Sequence, residues 1–146
     1  MINQHLHLSN QYNVKNSITL ADNLTKIEIN EHHKLITSDI KDLYVNIPIQ
    51  ETLKITESML SKENSAQITI ILLEAILKQN YFEFQNNIYQ PEKGVSMGSP
   101  ISGTMAEIFL HYIENTCIKH LQDKKNVLCY MRYVDDILIR YTKPYN

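Results

Sequence analysis

Tyr133-Val134-Asp135-Asp136 closes one apolar, strand-like run, Leu128–Tyr133, and opens another, Ile137-Leu138-Ile139. Short apolar runs on either side of a polar pair read as the two strands of a hairpin. Two adjacent carboxylates at the tip of a buried hairpin repel each other and lose hydration, so something cationic is expected to neutralise them. Two divalent metal ions engaged in phosphoryl transfer would meet that need. The plainer alternative is a solvated Asp-Asp turn, since Asp tolerates turn geometry.

The 146 residues suit one modest domain with a real core. With 43% hydrophobic and 21% charged residues, the chain is expected to fold rather than remain disordered. No apolar run is long enough to span a bilayer and no secretory signal begins at Met1, so no membrane partner is expected. Cys117 and Cys129 lack metal-ligand spacing and fall in apolar patterns. They read as small core residues in an intracellular, reducing setting, nucleus and cytoplasm not being distinguished. The net charge of −2 runs against nucleic-acid binding, whose footprint is usually basic. Either no nucleic acid is bound, or the basic parts of the machine lie outside these residues.

Residues 1–17 are polar and without period, which predicts a flexible lead-in, with His5 and His7 solvated rather than metal-bound. A short helix is expected from Ser17 or Thr19, with Leu20, Leu24 and Ile27 on one face, followed by a strand ending at Ser38-Asp39. Pro48 suits a first helical turn, and Leu53, Thr56, Met59 and Leu60 give the helix after it one buried stripe. The next helix, Ser65 to about Gln79, is apolar around much of its circumference, which predicts deep burial. Tyr81–Phe84 and Ile88-Tyr89 flank Asn86-Asn87 as a strand–turn–strand. All three glycines fall at 94, 98 and 103, just ahead of a long helix capped at Ser99 and Pro100 and running to about Leu121. The order predicts an α+β domain.

Three of these stretches together resemble the palm of a reverse transcriptase. Ser38-Asp39-Ile40-Lys41-Asp42-Leu43-Tyr44 resembles the first palm motif, and its continuation Val45-Asn46-Ile47-Pro48 is similar to that of Penelope-like retroelements. Gly94-Val95-Ser96-Met97-Gly98-Ser99-Pro100-Ile101-Ser102 resembles the second motif, and Arg132-Tyr133-Val134-Asp135-Asp136 the third. The resemblance covers about residues 18 to 141, in order, and implies a palm-like antiparallel sheet packed against helices over residues 18–146.

It further implies an RNA-directed DNA polymerase that joins a dNTP to a primer 3′-hydroxyl on an RNA template. Asp39, Asp135 and Asp136 would be the catalytic carboxylates and, with the Ile40 carbonyl, the ligands of two Mg2+ ions, Mn2+ being a possible substitute. Asp39 and Asp135 would be the principal ligands. Tyr44 would lie under the incoming sugar and exclude a 2′-hydroxyl, the alternative being a core tyrosine beside Pro48. Gly98 and Ser99 would approach the templating pair and its phosphates, and Tyr133 and Val134 the primer terminus. Arg132 and Arg140 would contact phosphate or balance local acidity, and Asp42 would cap a turn or face water.

The chain ends ten residues after Asp136. The expectation is therefore a palm fragment with incomplete fingers and no thumb, which also accounts for the acidic net charge. Two other readings fit the sequence: an RNA-templated RNA polymerase, and an inactive interaction module that keeps the palm core.

Overall fold

The computed structural model describes residues 10–61, 64–124 and 127–142; His5, His7 and the rest of the first nine residues lie outside them. In chain order the elements are α1 (Ser17–Thr25), β1 (His33–Asp39), α2 (Leu43–Asn46), α3 (Ile49–Leu60), α4 (Ala66–Lys78), β2 (Phe82–Phe84) and β3 (Asn87–Tyr89). They continue with α5 (Ser102–Ile113), a π-helical turn (Glu114–Ile118), α6 (Lys119–Asp123), β4 (Val127–Tyr133) and β5 (Asp136–Thr142). The fold is the expected mixture of helices and antiparallel sheet. The described residues form two compact units: one of residues 42–112, the other of residues 10–41 with 113–142.

In the first unit, α3 starts directly after Pro48, whose carbonyl accepts both the N–H (2.9 Å) and the hydroxyl (2.8 Å) of Thr52. Thr56 repeats the device one turn on, donating to the Thr52 carbonyl at 2.7 Å. Both hydroxyls are thereby satisfied, which lets Thr52 and Thr56 lie in the core beside Leu53 and Leu60. Met59, expected in the same stripe, is exposed.

The deep burial expected for α4 is not what the structure shows. Only Leu73 and Leu77 are buried, while Ile68 (63%), Ile71 (57%), Leu72 (58%) and Ile76 (47%) remain largely exposed. A helix apolar all round reveals that several faces suit an apolar neighbour, not which faces have one. The β2–β3 hairpin turns on Gln85 (φ 51°) and Asn86 (φ 61°), both left-handed as a two-residue hairpin requires. Helix α5 begins at Ser102 rather than at Pro100, and the buried Ser102 hydroxyl donates to the Ser96 carbonyl at 2.5 Å.

The second unit is built on a three-stranded antiparallel sheet, order β1-β5-β4. Residues 10–16 are not the loose lead-in their composition suggests. Tyr12 and Val14 are buried, and the segment brackets Arg132 of β4: Arg132 N–H donates to the Tyr12 carbonyl (2.8 Å) and Val14 N–H to the Arg132 carbonyl (2.7 Å). Tyr12 also meets Tyr130 edge to face, with ring centroids 5.6 Å apart. Asn16 caps α1 by accepting the Thr19 N–H at 2.8 Å. The long helix expected to run unbroken to Leu121 is interrupted by the π turn that opens at Glu114. Cys117, expected in the core, is exposed, whereas Cys129 is partly buried and burial pushes its thiol pKa up.

Candidate active site

The register of the sheet decides where the carboxylates meet. Asp39, the last residue of β1, lies directly across from Asp136, the first of β5, which in turn pairs with Tyr133 at the end of β4. Directly opposed residues share one face of a sheet. Asp39, Asp136 and Tyr133 therefore form a row across one rim, with Thr37, Leu138 and Met131 in the row behind. Asp135 sits in the turn, and its carbonyl accepts the Ile40 N–H at 2.9 Å, which stitches the end of β1 to the hairpin tip. The strand partner of Asp39 is thus Asp136, with Asp135 one residue away, rather than Asp135 itself.

The hairpin tip is not buried. Asp39 and Asp136 are exposed and Asp135 is half-buried, so desolvation is not what makes this arrangement costly. Like charges placed directly opposite each other are, by a few tenths of a kcal/mol up to about 1 kcal/mol. Among the described residues no basic side chain forms a salt bridge with any of the three. An apolar groove of about 610 Å³ opens beside them, lined by Val14, Leu20, Leu24, Met131 and Leu138 and reaching Asp39 and Asp136.

No three His, Cys, Asp or Glu side chains among the described residues close into a ready-made metal cage. Mg2+ is commonly held by one or two carboxylates together with waters and substrate phosphates rather than by an all-protein cage. An unpaired carboxylate couple at an open sheet rim is a donor set that fits such an ion.

Arg132 is not available to phosphate. It is fully buried, its Nε donating to Glu114 Oε1 at 2.6 Å and one terminal nitrogen to Glu114 Oε2 at 3.4 Å. The other terminal nitrogen, Nη1, donates to the Val134 carbonyl at 2.9 Å. Arg140 donates to the Glu28 carbonyl at 2.7 Å. Glu114, also buried, accepts from Asn10 Nδ2 at 2.6 Å and from the Tyr130 hydroxyl. Burial and the neighbouring Glu114 carboxylate push the Tyr130 hydroxyl well above the usual tyrosine range. The sequence reading missed Glu114. Its signal is the spacing Ala106, Leu110, Glu114, three residues four apart of which the first two are buried core.

The remaining expected site residues lie in the first unit. Tyr44, half-buried in α2, offers its carbonyl to the Val95 N–H at 2.8 Å, and Lys93 Nζ donates to Asn46 Oδ1 at 2.9 Å. Gly94 (φ +76°) presses on the same helix, so that a Cβ there would overlap the Val45 backbone. The glycine loop thus braces the backbone of Tyr44 and Val45. Gly98 is exposed and uncrowded, Ser99 is half-buried and Met97 projects into solvent. Ser99 does not cap α5; its carbonyl accepts the Ser102 N–H at 3.1 Å. Asp42 (φ 53°) is exposed and makes no side-chain cap bond to α2.

A three-stranded antiparallel sheet with Asp39, Asp135 and Asp136 at one rim resembles the sheet of a nucleic-acid polymerase palm. The chain belongs to the family of the reverse transcriptase (RNA-dependent DNA polymerase), whose pattern matches residues 2–146. In sequence it is similar to the telomerase reverse transcriptase of Takifugu rubripes, 28% identical over 85 residues, which is 58% of this chain and 8% of that protein. In fold it is similar to apo telomerase of Candida tropicalis, with TM-score 0.73 and 13% identity over 96% of this chain and 30% of that one. The C. tropicalis telomerase in complex with the TWJ fragment of telomeric RNA gives TM-score 0.71 and 14% identity over 97% and 28%. The chain therefore spans less than a third of each of these relatives.

Proposed function

We propose that this chain carries the nucleotidyl-transfer centre of an RNA-directed DNA polymerase, acting on an RNA template, a DNA primer and dNTPs. The observation that carries the reading is the cross-strand opposition of Asp39 and Asp136, with Asp135 beside them and no salt bridge to any of the three among the described residues. Asp39, Asp135 and Asp136, with the Ile40 carbonyl, would hold the Mg2+ ions. When bound, those ions supply charge neutralisation at the attacked phosphate and lower the pKa of the primer hydroxyl.

The chain's own residues do the positioning. Asp39 at the end of β1 and Asp136 at the start of β5 stand on paired strands, and the turn between β4 and β5 carries Asp135 beside them. Tyr133, half exposed beside Asp136, and Val134 offer surface to the primer terminus. Tyr44, held by Val95 and Gly94, would meet the sugar of the incoming nucleotide and disfavour a 2′-hydroxyl. Gly98 and Ser99 lie on an open loop whose backbone a templating pair can approach. Similarity of Val45-Asn46-Ile47-Pro48 and of the glycine motif to Penelope-like elements supports a retroelement origin.

The experiment is primer extension on an RNA template with Mg2+ or Mn2+, comparing the native chain with Asp135→Asn. Metal-dependent extension that the substitution removes is the expected result. Extension that persists in Asp135→Asn at an unchanged rate refutes the assignment of the carboxylate site.

A further inference from the structure

We propose that the buried Glu114–Arg132 pair is a positioning device for Asp135, acting through the carbonyl of Val134; this rests on the polymerase reading above. Val134 adopts φ 56°, a left-handed conformation in which a β-branched residue is a genuine outlier. The residue is 40% exposed, so tight packing does not compensate for the strain. Backbone states of this kind persist only where their surroundings over-determine them.

The surroundings do so at both peptide planes that flank Asp135. The plane before it contains the Val134 carbonyl, held by Arg132 Nη1 at 2.9 Å. The plane after it contains the Asp135 carbonyl, held by the Ile40 N–H at 2.9 Å. With both planes pinned, the φ and ψ of Asp135 are set, and with them the direction in which its carboxylate leaves the chain.

Arg132 can do this because its buried guanidinium is held from several sides. Glu114 takes its Nε and one terminal nitrogen, leaving Nη1 aimed at the tip. The Arg132 backbone is clamped by Tyr12 and Val14, and Glu114 is itself held by Asn10 and the Tyr130 hydroxyl. The π turn beginning at Glu114 widens the helix where that side chain turns inward, a distortion frequent at functional positions. A buried ion pair is a poor source of stability, because apolar residues of similar size often serve as well or better. Its retention behind the tip is explained by the bond it delivers.

Two variants separate positioning from folding. Arg132→Lys keeps the charge toward Glu114 but loses the planar fork that reaches Val134 at the same time. Glu114→Leu combined with Arg132→Met replaces the pair by apolar groups and leaves no unpaired charge. The readout is Mn2+ binding to the full chain, followed by loss of the free-ion paramagnetic resonance signal, with Asp135→Asn as reference and thermal melting as the control for folding. Amide hydrogen exchange at Ile40 reports the order of the tip.

The expected result is Mn2+ affinity about tenfold weaker or more in both variants, as for residues that orient metal ligands, with an intact melting transition and faster exchange at Ile40. Native affinity in both folded variants overturns the positioning role while leaving the carboxylate site standing, provided Asp135→Asn abolishes binding. Binding by the native chain that Asp135→Asn does not diminish overturns the site and the positioning role together, as does an absence of binding.

Discussion

Replacing Gly94 by alanine tests how the glycine loop supports Tyr44. Two costs add. At φ +76° an L-residue pays about 1–2 kcal/mol for the left-handed conformation. The new Cβ, fixed directly on the backbone, also overlaps the Val45 carbonyl, a backbone group that cannot rotate aside, so the loop or α2 must shift, at about 1–3 kcal/mol as in overpacked cores. A total near 3 kcal/mol lowers the melting temperature of a chain this size by about 6–12 °C. The other two glycines are internal controls. Gly103 lies in α5 with nothing within 4 Å of its missing Cβ, so Gly103→Ala gains helix propensity and raises stability by up to about 1 kcal/mol. Gly98 has only the Ser96 hydroxyl at 3.9 Å, an ordinary contact, so Gly98→Ala stays within about 0.5 kcal/mol of the parent. Melting followed by circular dichroism measures all three. Equal melting temperatures for the Gly94 and Gly103 variants would refute the close approach to Val45.

Asp39→Asn removes the charge opposed to Asp136. In metal-free buffer it is expected to leave stability unchanged or raise it by about half a kcal/mol, while metal-dependent extension is lost; a clear loss of thermal stability contradicts the cross-strand repulsion. Tyr130 gives a sign for pH. Its hydroxyl stays protonated in the fold at pH values where the unfolded chain ionises, so its contribution is complete below about pH 10 and is lost as pH rises further. Chemical denaturation should therefore show stability falling above about pH 10, by up to about 1.4 kcal/mol per pH unit from this group, with a shallower fall in Tyr130→Phe; identical profiles refute it. Tyr44→Ala should raise ribonucleotide incorporation relative to deoxynucleotide in an extension assay, and unchanged discrimination removes Tyr44 from sugar selection.

The rim was legible because strands betray themselves through short apolar runs, and a pair of aspartates between two such runs has few structural uses. The end of β1 at Asp39 and the hairpin at Asp135 followed from local pattern alone. What pattern does not carry is the identity of the neighbour. The apolar circumference of α4 predicted a core helix, yet four of its large side chains face outward. Arg132 looked like a phosphate contact because arginine is usually a surface residue; its counter-charge comes from Glu114, eighteen residues earlier, on a helix whose register the π turn alters. The short polar segment ahead of α1 has no period, but Tyr12 and Val14 need none to clamp one residue of β4. The clustering of the three glycines marks a loop of backbone freedom, but the partner that Gly94 meets, the Val45 backbone, lies far upstream.

The two margins of the sheet are treated differently, and this bears on how the chain behaves at high concentration. The outer side of β4 is occupied at Arg132 by Tyr12 and Val14, while no strand among the described residues pairs with the outer side of β1. A bare strand margin is a template for another chain, and charge along it is what keeps it single. On β1 that duty falls to Lys34 and Asp39, around the half-exposed Leu35 and Ile36. The carboxylate assigned to metal chemistry is thus also a guard of colloidal behaviour. Neutralising it trades solubility for thermal stability, and bound cations would shift the same balance.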